Sequence, residues 1–349
     1  MARRVRPLAT PSGGFRRIAV LRLSSLGDIV LTQPVVVALA RAFPQANLTY
    51  WIKEEFADLV RFDPAIAHVR VLERDASRLE DLVSMSAELE DADLIVDLHG
   101  NLRTRILTFR QQAPVLRAPS YRMARSFQVH ARWARRPPPP TVLARYALAL
   151  APLGLSPEDP PRMSAGEAAE SWAAGWWAAW APGAAPIAMI PGAAHATKRW
   201  PEAHWQALHE RLRAAGHPLL YLGLDADRAR VPALAEAVAR DPACRWASEP
   251  LARVAALLSR CACAVAGDTG LMHLAAARGV RVVAMFGSTA PELGFAPPAG
   301  EGHAVLCRHE PCQPCTLHGR AACPRGHFRC MMELRPELVG AEAERLARG

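Results

Sequence analysis

Short apolar runs alternate with longer amphipathic ones through the first 100 residues. Residues 16–23, 48–52, 69–72 and 94–98 are compact runs rich in Val, Ile and Leu, the pattern of strands buried on both faces. Residues 34–43, 55–62 and 78–89 carry helical periodicity, and 24–28 reads as a loop. This alternation of strand and helix predicts a parallel, doubly wound sheet. A proline-rich stretch from Pro152 to Pro161 reads as a linker. The pattern then restarts, with strands at 187–190, 218–222, 261–266 and 280–286 and helices at 201–215, 231–239, 251–259 and 271–278. The expected fold class is α/β: two Rossmann-like doubly wound parallel-sheet domains, 1–160 and 161–349, facing each other across a cleft. A chain of 349 residues suits two cores of that size.

The second half is organised around one turn. A short apolar strand hands over to a helix through Gly267-Asp268-Thr269-Gly270. The glycines let backbone approach a ligand closely, and the first helical turn offers N–H groups with no partner of their own. Thr269 adds a hydroxyl, and His273 lies one turn further on the same side. Such a turn suits a phosphate or diphosphate. The plainer reading is a strand-to-helix turn capped by Asp268 or Thr269. Gly223 also follows an apolar strand, and Asp225 or Asp227 beyond it could reach a ribose hydroxyl. In the first half, Asp28 and His99 sit just past strand ends, where open α/β sheets bind ligands.

Composition sharpens the picture. Hydrophobic residues make up 51% and charged residues 21% of the chain, which is globular and not disordered. The net charge of +9 favours an anionic partner, and only Lys53 and Lys198 are lysines. Ten arginines and no acid lie between Asp97 and Glu158: Arg103, Arg105, Arg110, Arg117, Arg122, Arg125, Arg132, Arg135, Arg136 and Arg145. So one-sided a run reads as an anion-binding surface. Nucleic acid is the rival partner, but aromatic interleaving is sparse and no nucleic-acid motif accompanies the arginines, so none is expected. Trp172, Trp176, Trp177 and Trp180 fall at helical spacing, as core packing or as an interfacial membrane contact. No secretory signal is visible, and Gly175, Pro182 and Pro186 interrupt the longest uncharged stretch. The expectation is a cytoplasmic protein with peripheral contact to the inner face of a membrane.

Three stretches in order resemble a known family. The first runs from Leu23 to Pro34 around Leu26-Gly27-Asp28, the second from Pro191 to Pro201 around Thr197-Lys198-Arg199-Trp200, and the third from Gly267 to Leu274. Together they are similar to the lipopolysaccharide heptosyltransferases of glycosyltransferase family 9, with heptosyltransferase II-like members the nearer match. The resemblance implies a two-domain GT-B fold and inverting transfer of heptose from ADP-heptose. It also implies an acceptor in the anionic inner core of lipid A, carrying Kdo or a first heptose, and no cofactor for catalysis. By this likeness Asp28 is the base that takes the acceptor hydroxyl's proton. Lys198 then meets the departing diphosphate, with Thr197 donating to the same oxygens. Gly223, Leu251, Gly267, Asp268, Thr269, Gly270 and His273 border the donor, and Met285 flanks its adenine or simply packs. His99, Asn101, Arg103, Arg122 and Arg125 are candidates for the acceptor side. Pro201 is expected at the first position of the following helix.

Five of the eight cysteines fall between 307 and 330, as Cys307-x4-Cys312-x2-Cys315-x7-Cys323-x6-Cys330, with three histidines interspersed. In a cytosolic chain such clustering raises metal binding above disulfides. Cys312, Cys315, Cys323 and Cys330 could hold a structural Zn or Fe ion, against reduced cysteines that merely pack. Two other functions share this pattern. One is a nucleotide-sugar 2-epimerase-like enzyme; the other is a non-catalytic protein that binds a nucleotide-sugar or lipid. Asp28 and Lys198, both present, favour transfer.

Overall fold

The computed structural model describes residues 6–72, 79–131, 137–298 and 300–348. Its contacts divide the chain into two compact units: Met1–Ser120 with Val142–Ser164, and Tyr121–Thr141 with Ala165–Gly349.

The first unit holds β1 (Arg17–Leu21), β2 (Asn47–Lys53), β3 (His68–Leu72), β4 (Leu94–Asp97) and β5 (Val115–Arg117) in one sheet of order β3-β2-β1-β4-β5. Every pairing is parallel. Its helices are α1 (Leu26–Val30), α2 (Gln33–Ala42), α3 (Leu79–Ala87), α4 (Leu102–Leu107) and, after an excursion of the chain, α6 (Val142–Ala147). The excursion carries α5 (Arg122–His130), which belongs to the second unit. β4 is buried throughout and β1 nearly so, because helices cover both faces of the sheet centre. Pro34 opens α2, where a missing N–H breaks no helical bond, and Val35, Val36 and Leu39 turn inward.

The second unit holds β6 (Ile187–Ile190), β7 (Leu219–Leu222), β8 (Cys244–Ala247), β9 (Cys263–Gly267), β10 (Val282–Phe286) and β11 (Ala304–Cys307), in the order β11-β10-β9-β6-β7-β8. These pairings are parallel as well. Around them lie α7 (Glu167–Trp180), α8 (Glu202–Ala214), α9 (Asp225–Arg228), α10 (Pro232–Arg240), α11 (Leu251–Leu258), α12 (Gly270–Ala277), α13 (Arg329–Met332) and α14 (Pro336–Arg348). Trp200, Trp205, Leu208, Tyr221, Met285 and Met331 meet in one core.

Each sheet has one point where the chain reverses the direction in which strands are added. It falls between β1 and β4 in the first unit and between β6 and β9 in the second. Loops leaving the carboxyl ends of adjacent strands diverge there and leave a crevice. The segments leaving those strand ends carry Asp28, in the short helix α1, and His99 in one unit, and Lys198 and Asp268 in the other.

Several expectations need correction. Asp28 lies in the first turn of a helix, α1, and not in a loop. Pro201 caps α8 from outside and Glu202 is its first residue. The strands β5, β8 and β11 were not expected; each is only three or four residues long and partly exposed, and arginine interrupts the apolar pattern of β5 and β8. The segment Tyr121–Thr141 groups with the second unit, so Arg122 and Arg125 do not belong to the N-terminal half. The physical reason is that Val129 and His130 of α5 border a cavity otherwise lined by second-unit residues. Arg132, Arg135 and Arg136 lie outside the described residues, as does Arg78, the expected start of α3.

The tryptophans of α7 pack. Trp177 and Trp180 are buried and stacked at 5.5 Å, and Trp180 Nε1 donates to the Pro242 carbonyl at 3.1 Å. Arg253 lies over Trp172 and Arg245 over Trp176, so the outer rings meet cations of their own unit. Among the described residues no helix is long and apolar enough to cross a membrane.

Candidate active site

In the first unit the site is built on Asp28. Ser25 Oγ and Arg22 Nη2 reach its Oδ2 at 2.9 and 2.8 Å, and the Tyr146 hydroxyl donates to its Oδ1 at 2.8 Å. Arg22 directly follows β1, donates to the Leu98 carbonyl at 2.8 Å, and lies over the Tyr146 ring at 5.5 Å. One guanidinium thus ties together the ends of β1 and β4, the carboxylate and the aromatic ring. A fork of rigid donors suits that task better than an ammonium would. Burial, then the Asp28 charge, pushes the Tyr146 phenol well above its usual pKa, so it stays a donor. Neither Arg22 nor Tyr146 was singled out from sequence. Arg22 could have been noticed as a charge interrupting an apolar strand; Tyr146 comes from α6, 118 residues away, with no local signal.

His99 adjoins this group. Its Nδ1 accepts from the Leu23 N–H at 3.2 Å, which assigns the ring proton to Nε2 in the neutral form. Burial, then the Arg22 charge, pushes its pKa down to about 4. The turn itself is set by Asp97, fully buried, whose Oδ1 accepts from the N–H groups of His99 and Gly100. Asn101 serves as the N-cap of α4, its Oδ1 accepting from Thr104 N at 3.0 Å. That employment is structural.

The described arginines of the run differ in exposure and in partners. Arg117 is drawn to Asp97 at 3.3 Å and to Thr108, and Arg145 is only 5% exposed. Arg103 is half-buried beside the exposed Arg105 and Arg110. Arg122 is exposed and Arg125 half-buried on α5 of the second unit.

In the second unit Lys198 pairs with Asp268, Nζ to Oδ2 at 2.7 Å, and also donates to the Asp268 carbonyl at 3.1 Å. Thr289 Oγ1 donates to the same Oδ2 at 2.7 Å. The loop after β6 is pressed onto the end of β9: a Cβ on Gly267 would lie 2.9 Å from the Lys198 carbonyl oxygen. Glycine is required there for close approach. Thr197 is buried, shares a 2.8 Å hydrogen bond with Ser288, and exchanges bonds with the backbone of Arg320. Thr269 is the N-cap of α12 yet makes no capping bond, and its Oγ1 is buried without a partner. A buried hydroxyl left unpaired costs free energy that an incoming acceptor would recover. Gly270 then begins α12, with its unpaired N–H groups.

The structure therefore joins Thr197, Lys198, Gly267, Asp268, Thr269 and Gly270 at the crevice. His273 is buried and stands edge-on to Phe295 at 6.4 Å, a packing contact. Gly223 and Leu251 stand at the neighbouring strand ends, after β7 and β8. Asp227 caps its own turn, accepting from Leu224 N and Arg230, and its carboxylate fills the space where a Gly192 side chain would be. Met285 is fully buried in the core, as is Trp200, whose indole donates to the Leu334 carbonyl. For both, packing is the observed role.

Two groups of metal-type side chains occur among the described residues. His209, Asp241 and Cys244 bring three donor atoms within 4.8 Å of one another. Each already has a partner: His209 Nδ1 meets the Tyr221 hydroxyl at 2.9 Å, and Asp241 binds Arg213 at 2.6 Å. With the ring and the carboxylate already engaged, this cluster reads as core hydrogen bonding. Cys312, Cys315, Cys323 and Cys330 instead line a common cavity of about 300 Å³, with Cys312 Sγ 3.8 Å from His327 Nε2.

Residues 84–323 match glycosyltransferase family 9 (heptosyltransferase). A lipopolysaccharide heptosyltransferase 1 of Pseudomonas aeruginosa is 29% identical over 363 residues, covering 92% of each chain. A glycosyltransferase family 9 structure from Veillonella parvula superimposes with a TM-score of 0.78 at 22% identity, over 95% of this chain and 97% of that one. The E. coli ADP-heptose lipopolysaccharide heptosyltransferase II gives 0.73 at 20% identity, over 95% and 98%. At these identities the structural likeness establishes the shared GT-B fold.

His99 makes a testable contribution to stability. Its pKa is about 4 folded and 6.5 unfolded, so between these values the unfolded chain binds the extra proton. Stability from neutral His99 is thus full above about pH 6.5, falls as pH drops, and levels below about 4. His99→Gln should flatten that part of the profile, read as melting temperature against pH for both proteins. An unchanged slope would show that His99 is not the group responsible.

Proposed function

Because the chain belongs to glycosyltransferase family 9 (heptosyltransferase), we propose that it moves heptose from ADP-heptose to the lipid A inner core. The acceptor carries Kdo or a first heptose, and transfer inverts the anomeric centre. The observation that carries this reading is the chemical division of labour between the two crevices. One presents an oriented carboxylate, the other a lysine, a helix N-terminus and an unpaired threonine hydroxyl.

Asp28 takes the proton of the acceptor hydroxyl as its oxygen attacks the anomeric carbon. The bond from that carbon to the diphosphate breaks on the opposite side, and its electron pair leaves with ADP. Lys198 exchanges part of its contact with Asp268 for the departing diphosphate, whose negative charge grows at that moment. The N–H groups opening α12 and Thr269 Oγ1 receive the remaining oxygens. Tyr146, Ser25 and Arg22 hold Asp28 in one orientation, which favours a productive approach.

On the acceptor side, Arg103, Arg105 and Arg110 alternate with the exposed Leu102 and Phe109. Cations beside exposed apolar side chains suit a phosphorylated saccharide still anchored in lipid. This supports an enzyme that works from the cytoplasmic side against the inner membrane. His99 contributes a neutral ring near the reacting carboxylate.

Mass spectrometry of the product tests the reading. ADP-heptose should add one heptose to lipid A carrying Kdo, or to that acceptor already heptosylated; no transfer to either ends the proposal. Asp28→Asn should keep ADP affinity and lose turnover by roughly two to four orders of magnitude. Near-wild-type turnover of the folded variant would remove Asp28 as the base. Lys198→Ala should weaken ADP binding in calorimetry as well as slowing transfer, and unchanged affinity and rate would exclude its role at the diphosphate.

A further inference from the structure

Seven of the eight cysteines fall into two environments. Cys261 and Cys263 are buried in or beside the second sheet, their thiols donating to the carbonyls of Leu257 and Ala343. Cys244 is likewise buried beside Asp241. Such thiols behave as small apolar side chains. Cys312, Cys315 and Cys323 are each half-exposed, and with Cys330 they turn toward a single cavity of about 300 Å³. His327 and His130 share its lining. None of these cysteines is in a disulfide. All four line that same cavity, so they form one neighbourhood and not separate pairs.

We propose that Cys312, Cys315, Cys323 and Cys330 bind a thiolate-seeking divalent transition metal, zinc or ferrous iron, in that cavity. Four thiolates complete a tetrahedral site, and the two-residue spacer in Cys312-x2-Cys315 lets neighbouring sulfurs share an ion. The sulfurs stand further apart than ligation requires, since among the described residues only the His209 group brings three donors within 4.8 Å. The open cavity gives them room to turn inward, a rotation about χ1 between staggered wells. His327, 3.8 Å from Cys312 Sγ, stands as a hydrogen-bond partner to a ligand sulfur.

The position of this segment gives the metal a consequence. Arg320 N and O both bond Thr197, Cys315 N donates to the Ser288 carbonyl at 2.9 Å, and Gln313 Nε2 donates to the carbonyls of Phe286, Gly287 and Thr289. The loop between the proposed ligands therefore braces the strand ends that carry Lys198 and Thr289. Between β11 and α13 it has no regular ladder of its own, and an ion would supply the cross-links it lacks.

The test uses the full chain purified from cells grown with added zinc and iron. Elemental analysis should find about one equivalent of zinc or iron, and which element it is fixes the metal. X-ray absorption of that protein should show a sulfur-dominated first shell at about 2.3 Å if the metal is zinc. The double variant Cys312→Ser, Cys315→Ser should lose the metal, whereas Cys244→Ser, in the other cluster, should keep it. Protein that is metal-free after supplementation, or a shell of nitrogen and oxygen alone, overturns the proposal. So does metal that is lost with Cys244 and kept without Cys312 and Cys315. If the double variant does not fold, the absorption spectrum of the unmodified chain still decides.

Discussion

The second unit depends on two side chains that are not there. Cβ atoms on Gly267 and Gly287 would sit 2.9 and 2.8 Å from the backbone oxygens of Lys198 and Thr197. Without them, the loop leaving β6 lies directly across the ends of β9 and β10. That approach sets everything above it. Lys198 reaches Asp268, Thr289 reaches the same carboxylate, and Ser288 N donates to the Thr197 carbonyl at 3.2 Å. A polar cluster this well connected is costly to satisfy in part and rigid when satisfied in full. The unpaired Thr269 hydroxyl stands out because its neighbours have partners.

The first unit solves a similar problem with a cation. Arg22 emerges from the apolar end of β1 and is almost enclosed. An enclosed guanidinium needs partners for its donors; Asp28 and the Leu98 carbonyl serve its two terminal nitrogens while Tyr146 offers its ring face. The carboxylate is thereby fixed by the loop before it, through Arg22 and Ser25, and by the remote Tyr146. Charge counted along a chain says nothing of which guanidinium the fold spends indoors, as it does Arg145, or ties to a buried carboxylate, as it does Arg117.

Much of the fold was legible because its central strands are buried on both faces and therefore apolar without interruption; β4, β6, β9 and β10 all read directly. The glycine turn before α12 and the lysine after β6 were legible as well, since residue types so scarce at a strand end carry information. Edge strands such as β5 and β8, which expose part of their length, leave no such trace. The short helix around Asp28 was hidden by its five-residue length, too brief for periodicity to show. Tyr146 was unreadable in principle, because its partner is remote in sequence and nothing about α6 marks one tyrosine face as special. His273 and Met285, placed near the donor by likeness, are both buried.

The path of the chain carries a lesson for anyone exchanging parts between homologues. The polypeptide passes from the first unit to the second at residue 120, back at 141, and across again at 164. A chimera joined once at the proline-rich linker would give the stretch 121–141 the parentage of the wrong unit. That stretch would bring α5 from one ancestor against a cysteine segment from another. Recombination that respects the architecture needs three junctions, and inheritance of α5 should follow the C-terminal half.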